Sequence, residues 1–170
     1  MKKIGILGTG SVGQALASRL SGLGYEVAIG TRNVTDSLQK TQVDGWGNPA
    51  IGGWIKLNPS VKLVTFAEAA AFADNIIVHA MNGSAAIDSL KMAGEANING
   101  KILIDITNPL DFSKGFPPTL FMSNDTSLGE LIQATFPDVK VVKTLNTMSN
   151  PVMVNPAAIA GAFNSERLIK

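Results

Sequence analysis

The sequence contains no cysteine and a single histidine, His79. Disulfides, thiolate catalysis and cysteine-bound metals are thereby excluded, and one imidazole is too few for a histidine cluster, so no metal site is expected. The lack of cysteine fits a cytoplasmic protein. Charge of either sign is also sparse: 14 Lys and Arg oppose 13 Asp and Glu, a formal net charge of +1 over 170 residues. The two signs are mixed along the chain, so no basic stripe suggests nucleic acid or an anionic membrane, and any phosphate site must be local. No apolar run reaches the roughly 18 residues of a membrane span. Lys2 and Lys3 before an apolar segment resemble the start of a secretory leader, but three glycines interrupt it and a helical pattern follows at once. Walker-type phosphate loops, nucleophile elbows and paired-carboxylate spacings are absent as well. What remains is a soluble protein whose length and 45% hydrophobic content suit one domain with a substantial core.

Glycine is where the sequence becomes specific. Ile4, Ile6 and Leu7 form an apolar β run, followed by Gly8-Thr9-Gly10-Ser11-Val12-Gly13, followed in turn by the helix-forming Gln14–Leu20. This is G-x-G-x-x-G between a strand and a helix. The first glycine permits the turn, the second lets backbone approach a pyrophosphate, and the third lets helix pack on strand. A dinucleotide site is the preferred reading over a purely structural βα turn.

The helix is expected to end near Gly22-Leu23-Gly24, and residues 25–30 read as a second strand. After that strand, Thr31-Arg32-Asn33 stand where an NAD-selective fold carries an acid for the ribose 2′-hydroxyl. No acid appears until Asp36. Arg32 can pair with a 2′-phosphate and the Thr31 and Asn33 side chains can donate hydrogen bonds, which favours NADP(H) over a plain polar loop. Residues 34–60 are the least regular, with a short helix over 34–41 and two tryptophans, Trp46 and Trp54, read as loop anchors in preference to a flap. Strands are then predicted over 61–64, 75–81, 101–107 and 139–145, with helices over 65–73, within 82–99 and over 128–136, Thr65 or a neighbour capping the first. Apolar strands alternating with helices imply an α/β fold, a Rossmann-type doubly wound parallel sheet in a single domain.

In such a sheet the ligand lies across the carboxyl ends of the strands. Beyond Gly8–Val12 and Thr31–Asn33, those ends carry Ala80, Met81 and Asn82, Thr107–Leu110 and Leu145–Thr147, of which Asn82, Thr107-Asn108-Pro109 and Asn146-Thr147 could hydrogen-bond ribose and nicotinamide amide groups. No catalytic acid or base can be named. His79 lies in an apolar run and is expected to be buried and bonded to backbone, and Asp105 to cap a neighbouring loop. Hydride transfer between two bound rings needs neither, since position and dryness suffice.

Four blocks, Ile4–Gly13, Gly30–Asn33, Asp105–Leu110 and Val142–Thr147, resemble the NADP oxidoreductases of the coenzyme F420-dependent type. The resemblance implies an NADP-dependent enzyme in which Thr9, Gly10, Ser11 and Val12 hold the pyrophosphate. It implies that Thr31, Arg32 and Asn33 hold the 2′-phosphate, and that Met81 and Asn82 lie by the nicotinamide. It also implies a small-molecule acceptor, coenzyme F420 or a flavin, although Asn146 stands in the segment where the F420 reductases carry a histidine. Family members continue past the segment equivalent to Asn155-Pro156 with a tail that serves the second substrate and dimerisation. The chain is therefore expected to be an NADP-binding Rossmann domain over 1–170 without that tail, with a homodimer as the assembly the resemblance allows. A non-catalytic NADP(H)-binding module and a dehydrogenase of a small metabolite are the alternatives.

Overall fold

The apolar runs become six parallel strands in a computed structural model that describes residues 2–45 and 47–158. They are β1 (Lys3–Leu7), β2 (Glu26–Thr31), β3 (Val61–Thr65), β4 (Ile76–His79), β5 (Ile102–Asp105) and, after a two-stranded excursion, β8 (Lys140–Lys143). The excursion pairs β6 (Leu110–Asp111) antiparallel with β7 (Thr119–Leu120). The sheet order is β3-β2-β1-β4-β5-β8, so the chain winds outward from β1 in one direction and then in the other. Leu7 pairs with Gly30 on one side and His79 on the other, which places the crevice between the two halves directly beyond Leu7. This is the doubly wound Rossmann-type sheet expected.

Alternation along β1 sends Ile4 and Ile6 to one face and Leu7 to the other. The first face is covered by α1 (Ser11–Gly22) and α3 (Ile51–Leu57) through Ala17, Ile51 and Trp54. The second is covered by α4 (Phe66–Phe72), α5 (Ala86–Ala93), α6 (Glu95–Ile98) and α7 (Leu128–Thr135) through Phe66, Leu90, Ile98 and Ile132. Thr65 ends β3 and starts α4 in a capping box with Glu68, and Ser127 with Glu130 does the same for α7. At the other end of α4, the half-buried Lys101 donates to the carbonyls of Ala70 and Ala73, both at 2.7 Å. A cation there satisfies orphan carbonyls and opposes the helix dipole.

Residues 34–60 are more regular than the sequence suggests. The expected short helix is α2 (Val34–Gln39), but Gly52-Gly53-Trp54, read as loop, lies inside α3. Two helical glycines cost about 1 kcal/mol each against alanine. Burying Ile51 and the larger Trp54 returns roughly 1.5–3 kcal/mol apiece, so tertiary packing overrides propensity. Trp54, 8% exposed, anchors its segment to the body as expected, but from a helix and not from a loop, while Trp46 lies outside the described residues. The excursion β6–β7 and a last helix, α8 (Asn150–Val154), had no expectation attached. No helix among the described residues is long and apolar enough to cross a membrane.

Candidate functional site

The three glycines of the turn have three different neighbourhoods. Gly8 has φ +119°, and a Cβ there would lie 2.4 Å from the Ala80 carbonyl oxygen, so the turn after β1 passes tightly over the end of β4. At Gly13 a Cβ would lie 2.0 Å from the Gly8 carbonyl oxygen, which is the helix-on-strand contact. At Gly10 nothing comes within 4 Å. Among the described residues nothing opposes a Cβ at position 10, and the space beside it is open. Gly10 is also the N-cap of α1 and supplies no side-chain cap, which leaves the first amides of a 12-residue helix facing that space.

A cavity of ≈ 290 Å³ opens there, lined by Gly8, Thr9, Gly10, Thr31, Arg32, Lys40, Phe66, Ala80, Met81 and Asn82. Arg32 and Lys40 are its charged side chains, and neither carries a hydrogen bond or ion pair among the described residues. The neighbours of Arg32 also make local bonds. The Thr31 hydroxyl is buried against Ser37 Oγ at 2.7 Å, and Asn33 Oδ1 accepts from the Asp36 amide at 3.1 Å to cap α2. Thr31 is turned inward, while the exposed Asn33 uses only its oxygen in the cap, so its Nδ2 donors stand beside the exposed Arg32 guanidinium at the end of β2.

On the other side of Met81, a second cavity of ≈ 140 Å³ is lined by Val12, Ala80, Met81, Ile106, Asn108, Asn146, Met148 and Met153. Asn108 Nδ2 donates to the Asn146 carbonyl at 2.7 Å, and Asn146 Nδ2 donates to Asn108 Oδ1 at 3.1 Å. The chain reaches this pairing through Leu145, whose φ of 60° is a left-handed conformation that costs a non-glycine residue roughly 1–2 kcal/mol. The two amides thus form one reciprocal unit beside an apolar, methionine-rich wall.

Behind this unit lies a buried polar cluster. His79 is fully buried as expected, but its partners are side chains, not backbone: Nδ1 is 3.3 Å from Asp105 Oδ1 and Nε2 is 2.9 Å from Ser89 Oγ. The physical reason is that β4 is paired on both sides, so the strand backbone is already consumed by the ladders. Asp105 also accepts from the Thr107 amide at 3.1 Å and hydroxyl at 2.8 Å, the loop cap anticipated, and from Lys143 Nζ at 2.8 Å. Burial alone would raise the Asp105 pKa. The bonds from His79, Lys143 and Thr107 and the Lys143 charge outweigh it and lower the value to about 2.

The residue matches extend to known proteins. The model of the family described as "NADP oxidoreductase coenzyme F420-dependent" matches residues 3–109, more than half of the chain. The chain belongs to that family. The chain is 48% identical to a solved protein of Arthrobacter sp. FB24 described as an F420-dependent NADP reductase, with a TM-score of 0.87 over 95% of this chain and 70% of that one. It is 29% identical over 147 residues to the metalloreductase STEAP3 of Rattus norvegicus, covering 86% of this chain but 25% of that protein's length. A TM-score of 0.53 with a 3-hydroxyisobutyrate dehydrogenase of Mycobacterium tuberculosis, at 16% identity, over 84% of this chain and 39% of that one, reflects the fold alone.

The two cavities and a third beside Ser11 gather twelve of the fourteen sequence candidates. Those twelve are Gly8, Thr9, Gly10, Ser11, Val12, Thr31, Arg32, Ala80, Met81, Asn82, Asn108 and Asn146. Gly13 serves packing and Asn33 serves as a helix cap. Lys40 and Met153 were not anticipated. Lys40 is a lone cation in an irregular segment, and Met153 sits on the unexpected α8, so neither carries a local signal.

Proposed function

We propose that the protein is an NADPH-dependent oxidoreductase that passes a hydride to a flavin-like or deazaflavin acceptor. The observation that carries the cofactor choice is the Arg32 guanidinium at the end of β2, without a partner among the described residues and in a cavity whose described wall holds no carboxylate. A 2′-phosphate is a doubly charged anion that an arginine fork can bind and a carboxylate would repel. The unfilled space at Gly10 and the uncapped amides of α1 fit the pyrophosphate, with Thr9, Ser11 and Val12 at its edge.

The wall beyond Met81 supports the reaction class. Its residues are Val12, Ala80, Met81, Ile106, Met148 and Met153 with the two amides of Asn108 and Asn146, and none of these is an acid or a base. When bound, NADPH supplies the hydride from its dihydronicotinamide ring. The apolar side chains exclude water from the reacting faces, and the amide pair orients a polar ring substituent. Relatives named as an F420-dependent NADP reductase and as a metalloreductase support an electron-accepting partner of low molecular weight. The cysteine-free composition supports a cytoplasmic setting.

The test is NADPH consumption by the purified protein in the presence of F420, FMN, FAD or a ferric chelate. Turnover with F420 or a flavin, faster with NADPH than NADH, is the expected result. A protein that binds NADPH tightly yet turns over none of the four would refute the reaction and leave a binding module. One that binds no NADPH would refute the cofactor as well.

A further inference from the structure

We infer that Lys40 is the cation for the pyrophosphate of the bound dinucleotide, an assignment that rests on the NADPH reading above. Two cavities meet at the glycine turn. One holds Arg32 at the end of β2, and the other, of ≈ 410 Å³, lies on the α1 side between Ser11, Gln14 and residues 42–44 and 48–50. Thr9, Gly10 and Lys40 belong to both walls, whereas Arg32 belongs only to the first. Lys40 thus shares the position of the turn that would cradle a pyrophosphate, and Arg32 is offset toward the ribose.

The backbone of Lys40 is held in this place from two directions. Its amide donates to the Ser37 carbonyl at 3.2 Å as the C-cap of α2, and its own carbonyl accepts from the Gly52 amide at 2.9 Å. A Cβ on Gly52 would lie 2.3 Å from the Leu38 carbonyl oxygen and 2.7 Å from that of Lys40, so the first turn of α3 can pack here only with glycine as its second residue. The far end of the loop is tied to the turn itself. Gln14, 5% exposed, donates its amide to the Thr9 carbonyl at 2.9 Å and to the Pro49 carbonyl at 3.0 Å.

The electrostatics agree with the placement. The N-terminus of a helix offers roughly half an elementary charge, against two negative charges on a pyrophosphate, and α1 carries no basic residue in its first turn. The carboxylate in the same cavity, Asp44, is occupied by Asn48, whose amide donates at 2.9 Å and whose side chain donates at 3.0 Å. The Lys40 ammonium has no such partner among the described residues. A division of labour follows: Arg32 reads the phosphate that only NADPH carries, and Lys40 reads the one that NADPH and NADH share.

Dissociation constants of NADPH and NADH, measured by calorimetry on the wild type, Lys40→Gln, Lys40→Arg and Arg32→Ala, decide the matter. Lys40→Gln is expected to weaken both dinucleotides by a similar factor, roughly tenfold for one charge-assisted bond, while Lys40→Arg stays near the wild type. Because the side chain is exposed, thermal unfolding of Lys40→Gln should match the wild type. Loss of NADPH affinity alone would make Lys40 a second reader of the 2′-phosphate and overturn the assignment, and so would unchanged affinity for both. Those two outcomes leave the NADPH reading standing. A wild type that binds neither dinucleotide removes both.

Discussion

Asp105 and Lys143 face each other across β5 and β8, where Lys143 Nζ donates to Asp105 Oδ2 at 2.8 Å. The carboxylate is completely buried and the lysine is 33% exposed. Lys143 also donates to the Thr107 carbonyl, and Thr107 immediately precedes the Asn108 amide that pairs with Asn146. A carboxylate in this state can only accept, so the proton between it and His79 resides on Nδ1. The cluster locks the ends of β4, β5 and β8 together just below the methionine-lined cavity.

The pH dependence of stability follows from this pair. The Asp105 value in the folded state, about 2, lies below the ordinary 3.8. Its contribution is therefore complete above the unfolded value and disappears as the pH falls from 3.8 to about 2. The shift is equivalent to about 2 kcal/mol. Asp105→Asn leaves the one-third-exposed Lys143 without its counter-charge and should cost about 2 kcal/mol at neutral pH, the size of that shift. Urea unfolding across the acid range should then show the gap between wild type and variant narrowing. A gap independent of pH would show that Asp105 does not titrate in this window. If Asp105→Asn does not fold, Lys143→Met reports the same pair with the carboxylate retained.

Cofactor selectivity should reside in Arg32. Because its guanidinium is exposed and supports nothing else among the described residues, Arg32→Ala is expected to fold normally. NADPH affinity should fall by about 1.5–3 kcal/mol, the scale of a charge-assisted hydrogen bond, and NADH should be nearly unaffected. Equal losses for the two dinucleotides would place the 2′-phosphate elsewhere.

The glycines of the turn should separate folding from binding. Gly10→Ala meets no protein atom within 4 Å, so its melting temperature should stay near that of the wild type while dinucleotide affinity falls. Gly13→Ala brings a Cβ to 2.0 Å from the Gly8 carbonyl oxygen and should lower the melting temperature outright. Paired calorimetric melts and binding titrations would distinguish the two. A Gly10→Ala protein that binds NADPH as well as the wild type would mean that the pyrophosphate does not approach position 10.

Much of the site was legible because its signals are local. Gly8–Gly13 and Thr31–Asn33 sit at strand ends that hydrophobic patterning alone locates, and the parallel sheet then brings those ends to one edge. The less local features were harder to read. Gly52 and Gly53 look like loop residues until the burial of Ile51 and Trp54 is counted, and with α3 misread the position of Lys40 could not be derived.

The positions of the six parallel strands along the chain, the glycine turn and the absence of an acid after β2 were determined by the sequence itself, since each depends on residues a few positions apart. The tertiary structure alone decided which groups meet: Gln14 with Pro49 across 35 positions, His79 with Asp105 across 26, and Lys143 with Asp105 across 38. It also turned the Thr31 hydroxyl inward to Ser37 and left Arg32 and Lys40 facing the cleft. A side chain's partner is chosen by the competition among all groups that packing brings within about 3 Å, and no spacing along the chain encodes that competition.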